Sequence, residues 1–292
     1  MLPALTYFFP PKEIPRKAAC SPMKKRTLTG ITVAAAVYLV VAYSHIPVVI
    51  RTATALLSAV AAYEILTAAN LGSSFLRLGA AAVLSIGLTI LPMPHYNQLL
   101  GILFPAAVVV FAVLMAKQDS FRLRRWYQVA PIALLVVVLF RSIAQLRLLE
   151  NGLFYLIAAI TVCFATDVAA YLIGSRFGRH KLAPKVSPNK TVEGSLAGIG
   201  ASVLALVLMG LCLQAAPGVT VRWLLLMVYG VSASAVGQFG DLSMSVVKRI
   251  WGVKDFGKLL PGHGGILDRF DSHLFCVAYT LLFCAATGGF LR

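Results

Sequence analysis

Long apolar stretches, separated by short clusters of Lys, Arg, Gly and Pro, dominate the chain. A helix needs roughly 20 apolar residues to cross the hydrocarbon of a bilayer. Nine stretches approach that length, at about 30–50, 52–71, 78–93, 98–116, 127–141, 150–175, 195–216, 223–247 and 272–291, the third and fifth being short. The pattern predicts an all-α, polytopic integral membrane protein with about nine transmembrane helices. No internal repeat or low-complexity segment interrupts it.

Composition agrees. Residues of the AVILMFWYC set make up 59% of the 292, charged residues 12%, and mean hydropathy is +0.85. Soluble domains average about 45–50% apolar and about 25% charged, so lipid is the solvent for most of this chain. The net charge of +16 does not indicate nucleic-acid binding, which needs a soluble basic face. It follows topology instead. With nine spans and a cytoplasmic N-terminus, 21 of the 26 Lys and Arg fall on the cytoplasmic side. Three segments result: a basic cytoplasmic tail (1–29), N-terminal transmembrane helices (30–149, about five), and a C-terminal transmembrane region with motifs on the cytoplasmic face (150–292). The apolar start followed by Pro10-Pro11 and basic residues reverses the order of a cleavable signal. The five cysteines show no C-x-x-C spacing and read as small apolar residues.

Ten carboxylates are few enough to weigh singly. Glu13, Asp119 and Glu150 lie in tails or at span ends. Glu64 lies within the second span, where a charge is costly, and a polar contact between helices is its expected role. Asp167, Glu193, Asp241, Asp255, Asp268 and Asp271 all fall within the last 126 residues, on the cytoplasmic side. Salt bridging to the neighbouring cations is the plain reading, but it leaves the local sequence unexplained.

That sequence forms two blocks. In the first, Asp167 and Tyr171 share a helix face. Gly174, Arg176, Gly178 and Arg179 follow, then Ser187-Pro188-Asn-Lys190-Thr191-Val-Glu193-Gly194. Ser187-Pro188 predicts an extended turn. Thr191 and Glu193 stand before a span, where free N–H groups favour anions. In the second, Asp241 and Ser245 precede Lys248-Arg249, Lys254-Asp255, the glycine-rich Pro261-Gly-His263-Gly-Gly265, and Asp268-Arg269-Phe-Asp271. Asp268 and Asp271 share a face at the start of the last span. Carboxylates among this many cations suit divalent-metal phosphate chemistry, with oxygen ligands for Mg2+ and Lys and Arg for the phosphates. His263 reads equally as a loop hydrogen-bonder or a phosphate donor.

At these residues the sequence resembles the CDP-diglyceride synthetases, or phosphatidate cytidylyltransferases. Ser245 through Asp271 fits that family's signature without a gap, and the stretch Ser187–Gly194 is similar to its second shared stretch. Val168 and Val192 depart from the pattern at positions that touch packing. Residues 150–292 carry the likeness, whereas 30–149 match only as a hydrophobic pattern. The resemblance implies transfer of CMP from CTP to phosphatidate, giving CDP-diacylglycerol and diphosphate, with a divalent metal, usually Mg2+; a second cation at that site is left open by the sequence. Catalytic roles are then expected for Asp241, Lys248, Asp268 and Asp271, with Asp241 and Asp268 as metal ligands. Substrate contacts are expected from Ser187, Lys190, Thr191, Glu193, Arg249, Lys254, Asp255, His263, Arg269, Asp167 and Tyr171. The implied partners are CTP, phosphatidate and membrane lipids at the cytoplasmic face of the cell (inner) membrane, with a homodimer left open and nucleic acid excluded.

Two rivals remain. A CTP-dependent enzyme with another lipid acceptor would have the same charge layout. An ion-coupled transporter would use Asp167 and Asp241 as coupling sites, although its polar residues would lie near the midplane rather than crowd one face.

Overall fold

The computed structural model describes residues 39–90, 95–116, 125–215, 219–260 and 264–291. The basic tail 1–29, residues 30–38 of the first apolar run and His263 lie outside them. Eight helices carry the described chain: α1 (Pro47–Ala68), α2 (Ser74–Ile90), α3 (Tyr96–Ala116), α4 (Arg125–Arg147), α5 (Gly152–Phe177), α6 (Val192–Gln214), α7 (Trp223–Ile250) and α8 (Leu267–Thr287). Seven are long and apolar enough to span a bilayer, and α2 is the shorter eighth. The all-α membrane architecture expected from the sequence is therefore present.

Two boundaries moved for local reasons, and one expected turn took a definite form. The break between the first two runs falls at residues 43–46, because Pro47 starts α1 at a position that needs no intrahelical N–H. The fifth run is longer than its apolar stretch. Arg141 sits inside α4, 4% exposed, bonded to the Leu88 carbonyl and stacked over the Tyr96 ring at 5.1 Å. A cation with such partners need not mark a helix end. Between α5 and α6 the extended turn at Ser187-Pro188 is a small antiparallel hairpin of β1 (Lys181–Ala183) and β2 (Ser187–Thr191). Proline is tolerated there because a two-stranded ribbon is all edge.

Burial is the inverse of hydropathy for two of the helices. α3, with mean hydropathy 2.7, is mostly outward facing, whereas α8, at 1.3, is largely buried. That is expected when lipid is as apolar as a protein core and the central helix carries the polar work. Phe275 of α8 packs on Phe104 and Phe111 of α3 and on Phe239 of α7, with ring centroids 6.0–6.5 Å apart. Hydroxyls bridge the helices within the span: Tyr229 to Thr280 at 2.7 Å and Thr166 to Ser234 at 2.7 Å. α5 and α6 touch backbone to backbone. A Cβ on Gly194 would lie 2.7 Å from the Ala170 carbonyl, and one on Gly198 would lie 2.9 Å from a Thr166 methyl. This close seam brings the C-terminal end of α5 against the N-terminal end of α6, where the hairpin emerges.

Candidate active site

The acids and bases of the two sequence blocks meet at one end of the bundle. Lys190, on β2, pairs with Asp241 of α7. Asp167 of α5 is in electrostatic range of both. Lys248, in the last turn of α7, lies 3.1 Å from Asp268 Oδ1 and 3.6 Å from Asp271 Oδ2 in the first turns of α8. Asp271 in turn feels Asp241 and Asp268. Four carboxylates and two lysines from α5, β2, α7 and α8 thus form one charged cluster, in which each lysine lies against acids.

Local sequence places each member. The 3.6-residue period sets Asp241, Ser245 and Lys248 along one side of α7. Asp268 and Asp271 sit where the positive end of the α8 dipole favours acids. Arg249 donates from Nε to the Val186 carbonyl at 3.2 Å and so ties the hairpin turn to α7. Thr191 is 5% exposed, and its Oγ1 accepts the Gly194 N–H at 3.2 Å, capping α6. Glu193 accepts the Arg179 and His180 N–H groups at 3.1–3.3 Å and meets His180 Nδ1 at 2.6 Å. Thr191 and Glu193 therefore shape the backbone beneath Lys190. Ser187 opens β2. Lys254, Asp255 and Arg269 are exposed around the loop between α7 and α8. Tyr171 lies one turn beyond Asp167, 75% exposed.

Asp268 holds that loop shut. Its Oδ2 accepts N–H bonds from Phe256 at 2.9 Å and from Gly265 at 3.1 Å, while Oδ1 faces Lys248. Phe256 is buried, presents its ring to Lys248 Nζ at 5.5 Å, and meets Trp251 edge-on at 6.0 Å. Trp251 closes an apolar groove of about 510 Å3 between α3 and α4, lined among others by Leu103, Val110, Leu114, Ile132 and Leu135. The groove therefore reaches the charged cluster through a short relay, from Trp251 in its lining to Phe256 and on to Lys248.

Among the described residues no three His, Cys, Asp or Glu side chains form a ready metal cage. The acids present offer oxygen donors, the type that Mg2+ takes. Asp241 is in electrostatic range of Asp271, and Asp268 and Asp271 both face Lys248, which gathers carboxylates of α7 and α8 at this end of the bundle. Mg2+ is commonly held by one or two carboxylates plus substrate phosphates rather than by an all-protein cage.

Sequence reasoning missed Glu64, Phe256 and Trp251 as parts of this end of the molecule. Glu64 was visible as a costly intramembrane acid. Its partners are backbone N–H groups, which leave no mark in a sequence.

Residues 24–287 match the sequence profile described as the cytidylyltransferase family. A protein of Bacillus subtilis named phosphatidate cytidylyltransferase is 33% identical across 88% of this chain and 96% of its own length. Two of the same name are more similar over a shorter stretch. One from Staphylococcus epidermidis is 47% identical over 126 residues and one from Staphylococcus aureus 46% over 128, each covering 43% of this chain and 47% of the relative.

Proposed function

The chain belongs to the cytidylyltransferase family, and from that premise we propose that it is a phosphatidate cytidylyltransferase: it transfers CMP from CTP to phosphatidate, releasing diphosphate. The observation that carries this reading is the cluster of Asp167, Lys190, Asp241, Asp271, Lys248 and Asp268, whose acids and lysines are suited to two phosphorylated reactants and a divalent cation.

An oxygen of the phosphatidate phosphate attacks the α-phosphorus of CTP. A new P–O bond forms, the bond to the β-phosphate oxygen breaks, and diphosphate leaves with the electron pair. Such a transfer asks for position and charge stabilisation more than for covalent help. Asp241, Asp268 and Asp271 would hold Mg2+, with Asp167 facing the same space. The ion would neutralise charge developing on the phosphates. Lys190 and Lys248 lie against these acids and bind phosphate oxygens when the substrates enter. Lys254, Arg269 and Arg249 add positive charge around the loop and the hairpin. The groove ending at Trp251 receives acyl chains, so that the lipid phosphate comes to lie beside Lys248. CTP reaches this end from the cytoplasm, which puts the site on the cytoplasmic face of the cell membrane.

The test uses purified protein in lipid nanodiscs with labelled CTP, Mg2+ and competing acceptors: phosphatidate, an isoprenoid phosphate and a free isoprenoid alcohol. CDP-diacylglycerol and an equal amount of diphosphate are expected. Preference for another acceptor, or no diphosphate release at all, overturns the assignment.

A further inference from the structure

Glu64 lies on α1, in the half of the chain that carries none of the sequence motifs, yet its carboxylate is part of the α7–α8 loop. Oε1 accepts the Ile266 N–H at 3.0 Å and Oε2 accepts the Leu267 N–H at 2.9 Å. Those two N–H groups open α8, whose own flanking residue Ile266 supplies no side-chain cap. The cap comes instead from about 200 residues away.

The fit is close on every side. Glu64 is 5% exposed. A Cβ on Gly265 would stand 2.6 Å from Oε2, and one on Gly257 would strike the same carboxylate. Both strands of the loop therefore press on Glu64. The same strands are gripped from the other side by Asp268, through the N–H groups of Phe256 and Gly265. Two carboxylates, one from each half of the protein, thus clamp residues 256–257 and 264–267 between them. Leu260 and Gly264 bridge the loop above the clamp. The clamp sets where α8 begins, and hence where Asp268 and Asp271 stand relative to Lys248.

We propose that Glu64 is a positioning residue for cytidylyl transfer: through the amides of Ile266 and Leu267 it fixes the loop and the first turn of α8 in the geometry that the acids and Lys248 require. This rests on the cytidylyltransferase reading above. Both Glu64 oxygens are taken up by backbone N–H groups of the loop, so its removal acts on turnover through the loop. A residue that merely joined two helices would change stability alone.

Glu64→Gln tests this with little change in volume. An amide has one acceptor oxygen, so its NH2 must face the N–H of either Ile266 or Leu267. In nanodiscs the variant is expected to stay folded, to lose about ten- to a hundredfold in kcat with CTP and phosphatidate, and to exchange the amides at 264–268 faster than wild type. Gly265→Ala is expected to show the same defects. The double variant Glu64→Gln/Gly265→Ala should be no worse than the poorer single, since both act on one contact. Wild-type exchange at 264–268 in Glu64→Gln overturns the clamp. Faster exchange with unchanged kcat overturns the positioning role. A wild-type protein inactive with CTP and phosphatidate overturns the functional reading instead, which the exchange measurement leaves separate.

Discussion

Asp268→Asn separates the structural duty of this residue from its charge. The carboxylate makes three contacts: Oδ2 with the amides of Phe256 and Gly265, and Oδ1 with Lys248. Asparagine keeps one acceptor. With that oxygen on the two amides, the loop survives and the new NH2 group faces Lys248, which retains Asp271 at 3.6 Å. The loss is one hydrogen bond to a charged group, about 1.5–3 kcal/mol. Asp268→Ala strands both amides as well, and two unsatisfied buried N–H groups add about 2–6 kcal/mol. Unfolding in detergent should therefore rank wild type above Asn and Asn above Ala. CTP turnover should not follow that ranking, because both variants lose the negative charge: each should fall about a hundredfold or more. An Asn variant with wild-type turnover refutes the role in catalysis. An Asn variant no more stable than Ala refutes the account of the loop.

Other expectations follow from single contacts. Lys190→Met removes the partner of Asp241 and should raise KM for CTP while leaving the protein in the membrane, as read from initial rates. Thr191→Val keeps the shape but loses the α6 cap, costing about 1 kcal/mol in an unfolding measurement. Gly194→Leu drives a side chain into the Ala170 carbonyl and should prevent α5 and α6 from closing, seen as loss of folded protein on size exclusion. Val110→Trp fills part of the groove and should discriminate against long-chain phosphatidate more than against a short-chain analogue, read as a ratio of kcat/KM values.

The spans were legible because lipid leaves an unmistakable pattern: α3 and α6 read as helices from hydropathy alone. Arg141 was misleading for the same reason. Hydropathy takes any arginine as an edge, and the Leu88 carbonyl and Tyr96 ring that hold it belong to other helices. The acids of the C-terminal region announced themselves by scarcity and spacing. Their order in space did not follow from the sequence. Nothing in the spacing says that Asp241 pairs with Lys190, or that Asp268 and Asp271 share Lys248. Thr191 and Glu193 were read toward substrate, whereas their side chains satisfy neighbouring N–H groups, a local demand that competes with ligand contact. Glu64 was legible as an anomaly and illegible as a cap. Its nearest trace in the sequence was the absence of side chains at Gly257 and Gly265.

The central claim is that α5, β2, α7 and α8 assemble their acids and lysines into one site for cytidylyl transfer. Asp241 lies at its centre, between Lys190 and Asp271. Formation of CDP-diacylglycerol by wild type and by Asp241→Asn, in the same nanodiscs with Mg2+, CTP and phosphatidate, tests it most directly. The account predicts turnover by wild type and a loss of at least about a hundredfold in a folded Asp241→Asn protein. Equal rates from the two proteins would contradict it.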